Sequence, residues 1–553
     1  MPTGRSSGLA HPALVAALLA PFALCPAALA ADGGGANHLV KSGVVVDFSI
    51  QRLGAAVGSS LPVQEGDHVE VRFRMVDATS GRPLTGVKPE AWMDIGSVIE
   101  GQHGEQRECK DKVGLYLRGV VGIRPMVDLN SYYLLVLNQD ASISVIDPVV
   151  SMTGRTSLYA TVVLKRPPAD WARSADAKRM YVSMPRAGEV AVVDTEGFKV
   201  QTSVPAGPEP VRVALQGDGR YLWVGNDARD AASGVTVIDT ETLTTVARIA
   251  TGGGHHEIAF SADDRHAFVS NRDEGTISVI DVATLQKVTD VPTGPLPIAI
   301  AFSSLSRALY VADGKEGTIT VVDDTRFQIV ARIVAREGLG PLRVSQDGRW
   351  AFAVNPAEQA AYVVDTSTNR LAHTVRAPGA PYQVAFTHGY AYLRLIDSER
   401  VVMVNLGSLG EGRNPIVQGF AAGNGAPRLA GDLAIADSIA QASMDAAVFI
   451  VNPADNTVYF YMEGMNAPMG SYGAYGHAAR AVAVVDRSLK EVEPGVYAGK
   501  LRIPAAGRYD VAFLIDNPPC SIASAPKRRR TPPSSTSSAR WRSSTWPAHP
   551  RQP

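Results

Sequence analysis

The chain has 553 residues, of which 45% are hydrophobic and 19% are charged, and its formal net charge at pH 7 is -1. This length exceeds what one ordinary hydrophobic core supports and predicts two to four domains. A chain without excess positive charge has no overall electrostatic basis for binding nucleic acid, and we therefore expect no such partner.

The N-terminus has the features of a secretory signal peptide over residues 1–30. Arg5 supplies a positive charge, and residues 13–24 form an apolar run that is too short to span a bilayer. Residues 28–30 form an A-x-A cleavage site, which predicts cleavage after Ala30. We therefore expect a periplasmic or secreted protein, with no membrane span in the mature chain.

Residues 31–125 are predicted to form an N-terminal β segment. Strand-like runs occur at 44–50 and 69–76. The phrase at 77–86 resembles the opening of the small immunoglobulin-like sandwich domains of bacterial exported proteins. This part of the chain is therefore predicted to contribute to an immunoglobulin-like β-sandwich.

Internal repeats occupy residues 126–425. Each unit has a strand ending in an aromatic-Val-x-Asn pattern and then a strand of the form Gly-x-Ile-x-Val-Ile-Asp, as in 268–271 followed by 277–281. The units end 47, 45, 42, 42, 42 and 40 residues apart, which is the length of one four-stranded propeller blade. Their last residues are Asp147, Asp194, Asp239, Asp281, Asp323, Asp365 and Asn405. We therefore predict an all-β chain that contains a seven-bladed β-propeller.

This repeat resembles the YVTN-type β-propeller repeat family. The superfamily of that family also includes lactonase-like propellers and the haem-binding propeller of cytochrome D1 nitrite reductase. The resemblance covers roughly residues 126–425. It implies the fold more strongly than a function, because the superfamily contains enzymes, binding modules and scaffolds.

Residues 426–517 are predicted to form a C-terminal immunoglobulin-like β domain. The phrases at 494–497 and 506–509 resemble the close of such a domain. Two arrangements are open: two separate sandwiches, or one split sandwich with the propeller inserted between its halves. Residues 518–553 are rich in Pro, Ser and basic residues and lack Asp and Glu, which predicts a disordered tail or an altered reading frame.

The mature chain would keep two cysteines, Cys109 and Cys520. An oxidising compartment predicts a disulfide between them, which would join the two flanks of the propeller. The chain has no C-x-x-C-H motif, and attachment of a c-type haem in the usual way is therefore excluded.

Polar side chains are predicted to converge at one mouth of the propeller channel. The first strand of each blade lines such a channel, and Ala recurs there at one register, with Arg343 as the exception. Two residues earlier, several of these strands carry a polar residue. The candidate ligand site comprises Arg212, His255, His256, Glu257, Arg343 and Gln383. Such residues can bind a metal, a haem propionate or another anion, or move a proton; the alternative is a hydrated loop whose histidines form local hydrogen bonds.

A second candidate site lies in the C-terminal segment. Met462, Met465 and Met469 lie within eight residues on a Gly- and Pro-rich stretch, with His477 nearby. Thioether sulfur is a soft ligand that favours Cu(I), and the group therefore predicts a copper site. The alternative is that flexible methionines fill gaps at a domain contact.

Three functions fit these patterns. The first is an exported binding or scaffold module in a copper or respiratory redox pathway, with a periplasmic protein, a small molecule or a metal as its partner. The second, implied by the resemblance to cytochrome D1, is an oxidoreductase-type role with a non-covalent haem in the channel. The third is a lactonase-like hydrolase, which would need metal-binding carboxylates around the channel. No local signature identifies a catalytic residue, and the first function is preferred.

Overall fold

The computed structural model describes residues 37–95, 127–524 and 540–545, with gaps at 42, 53–62, 66, 131, 149–157, 229–232, 411, 443–445, 504, 506–507 and 517–518. Nearly all regular structure in these ranges is β-strand, which confirms the all-β prediction. No helix within them is long and apolar enough to cross a membrane. The signal peptide, Cys109 and the side chain of Cys520 lie outside the described residues, and so does the predicted disulfide.

The strands before the propeller come from the N-terminal flank. They are β1 (Asn37–Lys41), β2 (Val44–Arg52), β3 (His68–Asp77), β4 (Glu90–Ile95) and β5 (Val127–Asp128). The runs that the sequence predicted at 44–50 and 69–76 are therefore strands.

The propeller consists of four-stranded antiparallel sheets, the blades, in which strand order follows the chain from the inside outward. Blade 1 has β6 (Tyr132–Asn138), β7 (Ser142–Ile146) and β8 (Leu158–Val163) outside an inner strand, β37 (Ala479–Asp486). Blade 2 has β9 (Trp171–Arg173), β10 (Arg179–Met184), β11 (Glu189–Asp194) and β12 (Lys199–Pro205). Blade 3 has β13 (Pro210–Leu215), β14 (Tyr221–Asn226), β15 (Gly234–Asp239) and β16 (Thr244–Ala250).

The remaining blades repeat this arrangement. Blade 4 has β17 (Ile258–Phe260), β18 (His266–Asn271), β19 (Thr276–Asp281) and β20 (Gln286–Pro292). Blade 5 has β21 (Pro297–Ser303), β22 (Ala308–Asp313), β23 (Thr318–Asp323) and β24 (Ile329–Val334). Blade 6 has β25 (Leu342–Val344), β26 (Trp350–Asn355), β27 (Ala360–Asp365) and β28 (Arg370–Arg376). Blade 7 has β29 (Pro381–Phe386), β30 (Tyr390–Leu395), β31 (Arg400–Asn405) and β32 (Val417–Ala421). Blade 8 has β33 (Ile439–Gln441), β34 (Ala447–Asn452), β35 (Thr457–Met462) and β36 (Gly470–Gly473).

The described chain contains eight such sheets, and the predicted count of seven blades is therefore wrong. In most blades the third strand ends in an Asp whose carboxylate accepts hydrogen bonds from the following turn, as Asp239 does from the N–H groups of Glu241 and Thr242. The third strand of blade 8 ends instead at Met462, and a connection of 17 residues, 422–438, separates this blade from β32. Blade 8 therefore lacks both the Asp that ends the third strand of most blades and the regular spacing from the preceding blade.

The ring closes through a strand from the far end of the propeller. β37 pairs antiparallel with β6, with Ala483 opposite Leu135. Leu135 then packs with Met180 and Val182 of blade 2 in one buried cluster. The propeller therefore extends to residue 486 instead of 425, and strands predicted for the C-terminal domain belong to it.

In the described part of the chain, three short 3-10 helices lie in connections, at Pro185–Ala187, Leu406–Ser408 and Pro427–Ala430. The middle strands of the blades are apolar because both of their faces are covered by neighbouring blades, as the fully buried β14 shows. The outermost strands alternate between exposed and partly buried residues, as β16 does, because only one face is covered.

The last strands combine with the first in one sandwich. They are β38 (Lys490–Glu493), β39 (Val496–Arg502), β40 (Arg508–Asp516), β41 (Pro519–Ser524) and β42 (Arg540–Thr545). One sheet has the order β1-β2-β3-β39-β38, and the other has the order β41-β42-β40-β4-β5. Both flanks share one core, in which the rings of Phe73 and Phe513 stack with their centroids 4.8 Å apart. The flanks therefore form one split sandwich, and its immunoglobulin-like type remains a prediction.

Two of these strands lie in the tail that was predicted to be disordered. β41 runs antiparallel to β40, with Val511 opposite Ser524, and β42 pairs with both. An open sheet edge can pair with an extended segment through its backbone alone, whatever the hydrophobicity of that segment. For 519–524 and 540–545 the prediction of disorder is therefore wrong; the rest of the tail lies outside the described residues.

Candidate functional site at the channel mouth

A collar of small residues surrounds the channel. At one register, each innermost strand places a residue opposite an aromatic residue or Leu of the second strand, as Ala214 does with Trp223 and Arg343 with Phe352. Seven blades carry Ala at this register and blade 6 carries Arg343. The alanines are Ala172, Ala214, Ala259, Ala301, Ala385, Ala440 and Ala483. Small side chains suit this position because eight strands converge on it.

A cavity of about 540 Å³ opens at the collar. Its walls come from the inner strands of blades 1 to 6 and of blade 8 and from the segments next to them. Charged residues among them are Asp170, Arg173, Arg212, Glu257, Arg343 and Asp437. A concave site with a few convergent polar groups is the usual form of a small-molecule site.

Arg212 lies between two carboxylates from the neighbouring blades. Its Nη2 is 2.8 Å from Oε2 of Glu257, and its Nη1 is 3.3 Å from Oδ2 of Asp170. The backbone N–H of Val213 also donates to Oδ2 of Asp170, over 3.0 Å. The side chains of Arg212, Glu257 and Asp170 are only 12%, 12% and 5% exposed, and this ion triad is therefore shielded from bulk water.

His255 extends the triad into a chain of alternating charges. Its Nδ1 is 2.7 Å from Oδ2 of Asp227, and its Nε2 is 3.4 Å from Oε1 of Glu257. Burial alone would lower the pKa of His255, but the hydrogen bonds and charges of these two carboxylates raise it to about 9. Burial alone would raise the pKa of Glu257, but the charge of Arg212 and the hydrogen bond from His255 lower it to about 2. At neutral pH both groups are therefore charged.

His256 points away from the channel, although it follows His255 directly. Its Nδ1 is 2.8 Å from the carbonyl oxygen of Ser270, and its Nε2 is 2.9 Å from the hydroxyl of Ser233. The side chain is buried, and burial lowers its pKa, so the ring is neutral. Neighbouring residues of an extended segment face opposite sides, and His256 is therefore a local structural residue.

Gln383 is separated from the triad along the ring. Its Oε1 accepts hydrogen bonds from the N–H and the hydroxyl of Ser438, and its Nε2 donates to the carbonyl oxygen of Ala436. It thereby joins blades 7 and 8 and is not among the residues that line the cavity. Of the six predicted site residues, the structure brings Arg212, Glu257 and Arg343 to the cavity, with His255 behind Glu257.

Three charged side chains on the cavity wall lie outside the triad, and one of them, Arg173, donates from Nη1 to the carbonyl oxygen of Val484. Arg343 donates from Nη1 to the carbonyl oxygen of Leu342 over 3.1 Å, and it forms no ion pair with any described residue. Asp437, which is exposed at the rim, likewise forms no ion pair among the described side chains. These two groups remain available to a ligand.

In the structure, the three methionines of the second candidate site lie apart from His477. Met462, Met465 and Met469 are 38%, 46% and 59% exposed, at the end of β35 and in the loop between β35 and β36. Thr457 pairs with Gly473 at the opposite end of this hairpin, and His477 follows from there. The imidazole of His477 is 2.8 Å from Oδ2 of Asp140. His477 is therefore separated from the methionines by the length of the hairpin.

The histidines at the channel do not fit a haem or metal ligand. His255 is protonated between two carboxylates, and both ring nitrogens of His256 already have partners. An iron or copper ligand would need a neutral imidazole with a free nitrogen. Within the described ranges, no group of three or more His, Cys, Asp or Glu side chains is arranged to hold a metal ion.

Three carboxylates near the cavity, Asp170, Asp227 and Asp437, were not predicted from the sequence patterns. Asp170 stands two residues before Ala172, as Arg212 stands before Ala214, and aligning Ala172 with the collar would have found it. Strand β9 has only three residues, which are too few for a strand pattern to reveal the register of Ala172 in the sequence. Asp227 directly follows the Asn that ends β14, and Asp437 lies in the long connection before blade 8, where no repeat pattern guides the alignment.

Comparisons with known proteins agree with this fold. Residues 149–341 match the YNCE-like β-propeller family, and no curated protein sequence matches the chain significantly. The structure of apo AztD from Citrobacter koseri is 14% identical, covers 65% of this chain and 98% of that one, and has a TM-score of 0.50. Hydrazine synthase from Kuenenia stuttgartiensis is 19% identical over 58% of this chain and 95% of that one, with a TM-score of 0.40.

A third similar structure is the periplasmic gluconolactonase PpgL from Pseudomonas aeruginosa. It is 18% identical over 53% of this chain and 99% of its own, with a TM-score of 0.40. Of these three structures only AztD reaches a TM-score of 0.50, and at 14% identity its likeness shows the fold alone. The immunoglobulin-like type of the flanks is not part of the family match. The repeat region of this chain is therefore a β-propeller, in which residues 149–341 match the YNCE-like β-propeller family.

Proposed function

We propose that this protein is an exported, non-enzymatic binding module that holds a small polar ligand in the mouth of its propeller channel. The observation that carries this proposal is the cavity of about 540 Å³ at the collar, into which Arg343 and Asp437 face without ion-pair partners among the described residues. The triad of Asp170, Arg212 and Glu257 supports it, because fixed charges beside a cavity orient a ligand before it binds. Export rests on the signal-peptide features of residues 1–30.

The channel arrangement gives less support to the two alternatives. A haem-binding oxidoreductase would need an axial ligand, and neither His255 nor His256 offers a free nitrogen. A metal-dependent hydrolase would need carboxylates free to coordinate, whereas Asp170 and Glu257 are both bound by Arg212. A binding role requires neither an axial haem ligand nor carboxylates that are free to coordinate a metal.

Ligand retention tests the proposal. The full chain, isolated from the periplasm of a bacterial host, is expected to start at Ala31 and to release a small molecule on heating, which mass spectrometry detects. In Ala301→Trp the indole ring would fill the collar, and we expect at least tenfold less released ligand. Ala283→Trp, at an exposed turn of blade 4, is the matched control and should release as much as the wild type.

Two results would contradict the proposal. One is wild-type protein that releases no small molecule, and the other is equal release from Ala301→Trp and Ala283→Trp. Circular dichroism and the melting temperature establish that both variants fold.

Copper handling is a second candidate function, at the exposed methionines of the β35–β36 hairpin. Three methionines that are 38–59% exposed present accessible thioethers, and thioethers bind Cu(I). Elemental analysis of the same preparation after exposure to Cu(I) tests it. We expect one copper per chain, lost when Met462, Met465 and Met469 are all changed to Leu; unchanged copper content in that variant would exclude the site.

A further inference from the structure

We propose that Arg343 selects a ligand with a single carboxylate group and holds that group inside the alanine collar. This inference rests on the proposed binding function and names the chemical class of its ligand. Arg343 is the one cation in a ring of eight equivalent positions, the other seven of which are Ala. Seven alanines show that the fold does not need a long side chain at this register.

The three arginines of the cavity wall differ in their partners, and Arg173 donates from Nη1 to the carbonyl oxygen of Val484. Arg212 binds Glu257 and Asp170 and uses its charge within the protein. Arg343 has one hydrogen bond, to the carbonyl oxygen of its neighbour Leu342, and no ion pair within the described part of the chain. A partly buried guanidinium without a counter-charge loses hydration that an anionic ligand can replace. Its planar fork of N–H donors matches a carboxylate through two parallel hydrogen bonds.

The surrounding charges favour one negative charge on the ligand. Glu257 lies near enough for Arg343 to help lower its pKa, but both oxygens of Glu257 are already bound, one by Arg212 and one by His255. A ligand at Arg343 therefore meets the unpaired Arg343 cation and, at the rim, the carboxylate of Asp437; Arg173, on the same wall, already donates to the carbonyl oxygen of Val484. The carboxylates of Glu257, Asp170 and Asp437 would repel a phosphate dianion more strongly than a monocarboxylate, whose single charge Arg343 pairs.

Three probes of the same shape test the charge preference. Benzoate, benzamide and benzylamine carry charges of -1, 0 and +1, and each is small compared with the cavity. The full-length mature protein, stripped of any retained ligand by dialysis, is titrated with each probe and followed by saturation-transfer NMR. We expect benzoate to bind at least tenfold more tightly than benzamide and benzylamine. Inorganic phosphate is expected to compete with benzoate only weakly.

Two variants assign the preference to Arg343. Arg343→Ala restores the residue of the other seven blades, so the variant should fold, and it should bind benzoate no more tightly than benzamide. Arg370→Ala removes an exposed arginine from the outermost strand of the same blade and is the matched control, with benzoate binding unchanged.

The outcomes separate this inference from the function on which it rests. Equal binding of the three probes, preference for benzylamine, strong competition by phosphate, or benzoate preference that survives in Arg343→Ala would overturn the carboxylate assignment. In those cases release of a native ligand that depends on an open collar would still support the binding module. Absence of both probe binding and a released ligand would overturn the two together.

Discussion

Replacing Arg212 with Met is expected to lower the free energy of unfolding by about 3–5 kcal/mol. The substitution keeps a long side chain but leaves the carboxylates of Glu257 and Asp170 buried without their cation. A buried ion whose partner is removed loses the attraction that offset its desolvation. This is the largest effect that we expect from a single change in the channel.

Differential scanning calorimetry measures this effect through the melting temperature. Arg343→Ala is the control from the same collar: its side chain forms one hydrogen bond, and Ala fits the register, so we expect a change of less than about 1 kcal/mol. Equal melting temperatures for Arg212→Met and Arg343→Ala would show that the triad does not stabilise the propeller.

The second large effect is a loss of stability at alkaline pH. The pKa of His255 is raised from about 6.5 in the unfolded chain to about 9 in the folded protein. The protonated form therefore contributes stability that is fully present below pH 6.5 and is lost as the pH rises through 9. The contribution is on the order of 3 kcal/mol.

Melting temperatures between pH 6 and 10 test this contribution. His255→Gln should be less stable than the wild type at pH 6 and should show a smaller decline above pH 7. Asp227→Asn removes one of the two carboxylates that hold the proton, and the decline should then begin at a lower pH. The exposed His388→Gln is the control and should follow the wild type. A wild-type profile without any decline up to pH 10 would contradict the charged state assigned to His255.

The propeller could be predicted from the sequence because its blades repeat a local rule. An Asp that caps a turn, such as Asp239 or Asp281, ends a strand whose alternation is set by burial. Where this Asp is present, the distance in sequence to the next such Asp gives the position of each blade. Blade 8 lacks the capping Asp, and blade 1 takes its inner strand from 479–486, so the sequence predicted seven blades and assigned these strands to a flank. Ring closure is a long-range pairing that no local pattern marks.

The candidate site was predictable only in part. Arg212, Glu257 and Arg343 were found because the alanine register places inner-strand residues on the channel wall. His256 and Gln383 shared the pattern, but the hydrogen bonds to Ser233 and Ser438 that turn them to structural roles come from other strands and connections. The long connection that brings Asp437 to the rim has no repeat to align. The sequence thus indicates which residues reach the channel, and tertiary contacts decide which of them are not already bound to other protein groups and can contact a ligand.

A crystal structure of the protein isolated from its native compartment would show whether the collar holds a ligand. We expect eight blades, with electron density for a small molecule inside the collar and within hydrogen-bond distance of the Arg343 guanidinium. A collar that holds only ordered water, with Arg343 paired to a carboxylate of the chain itself, would contradict the account.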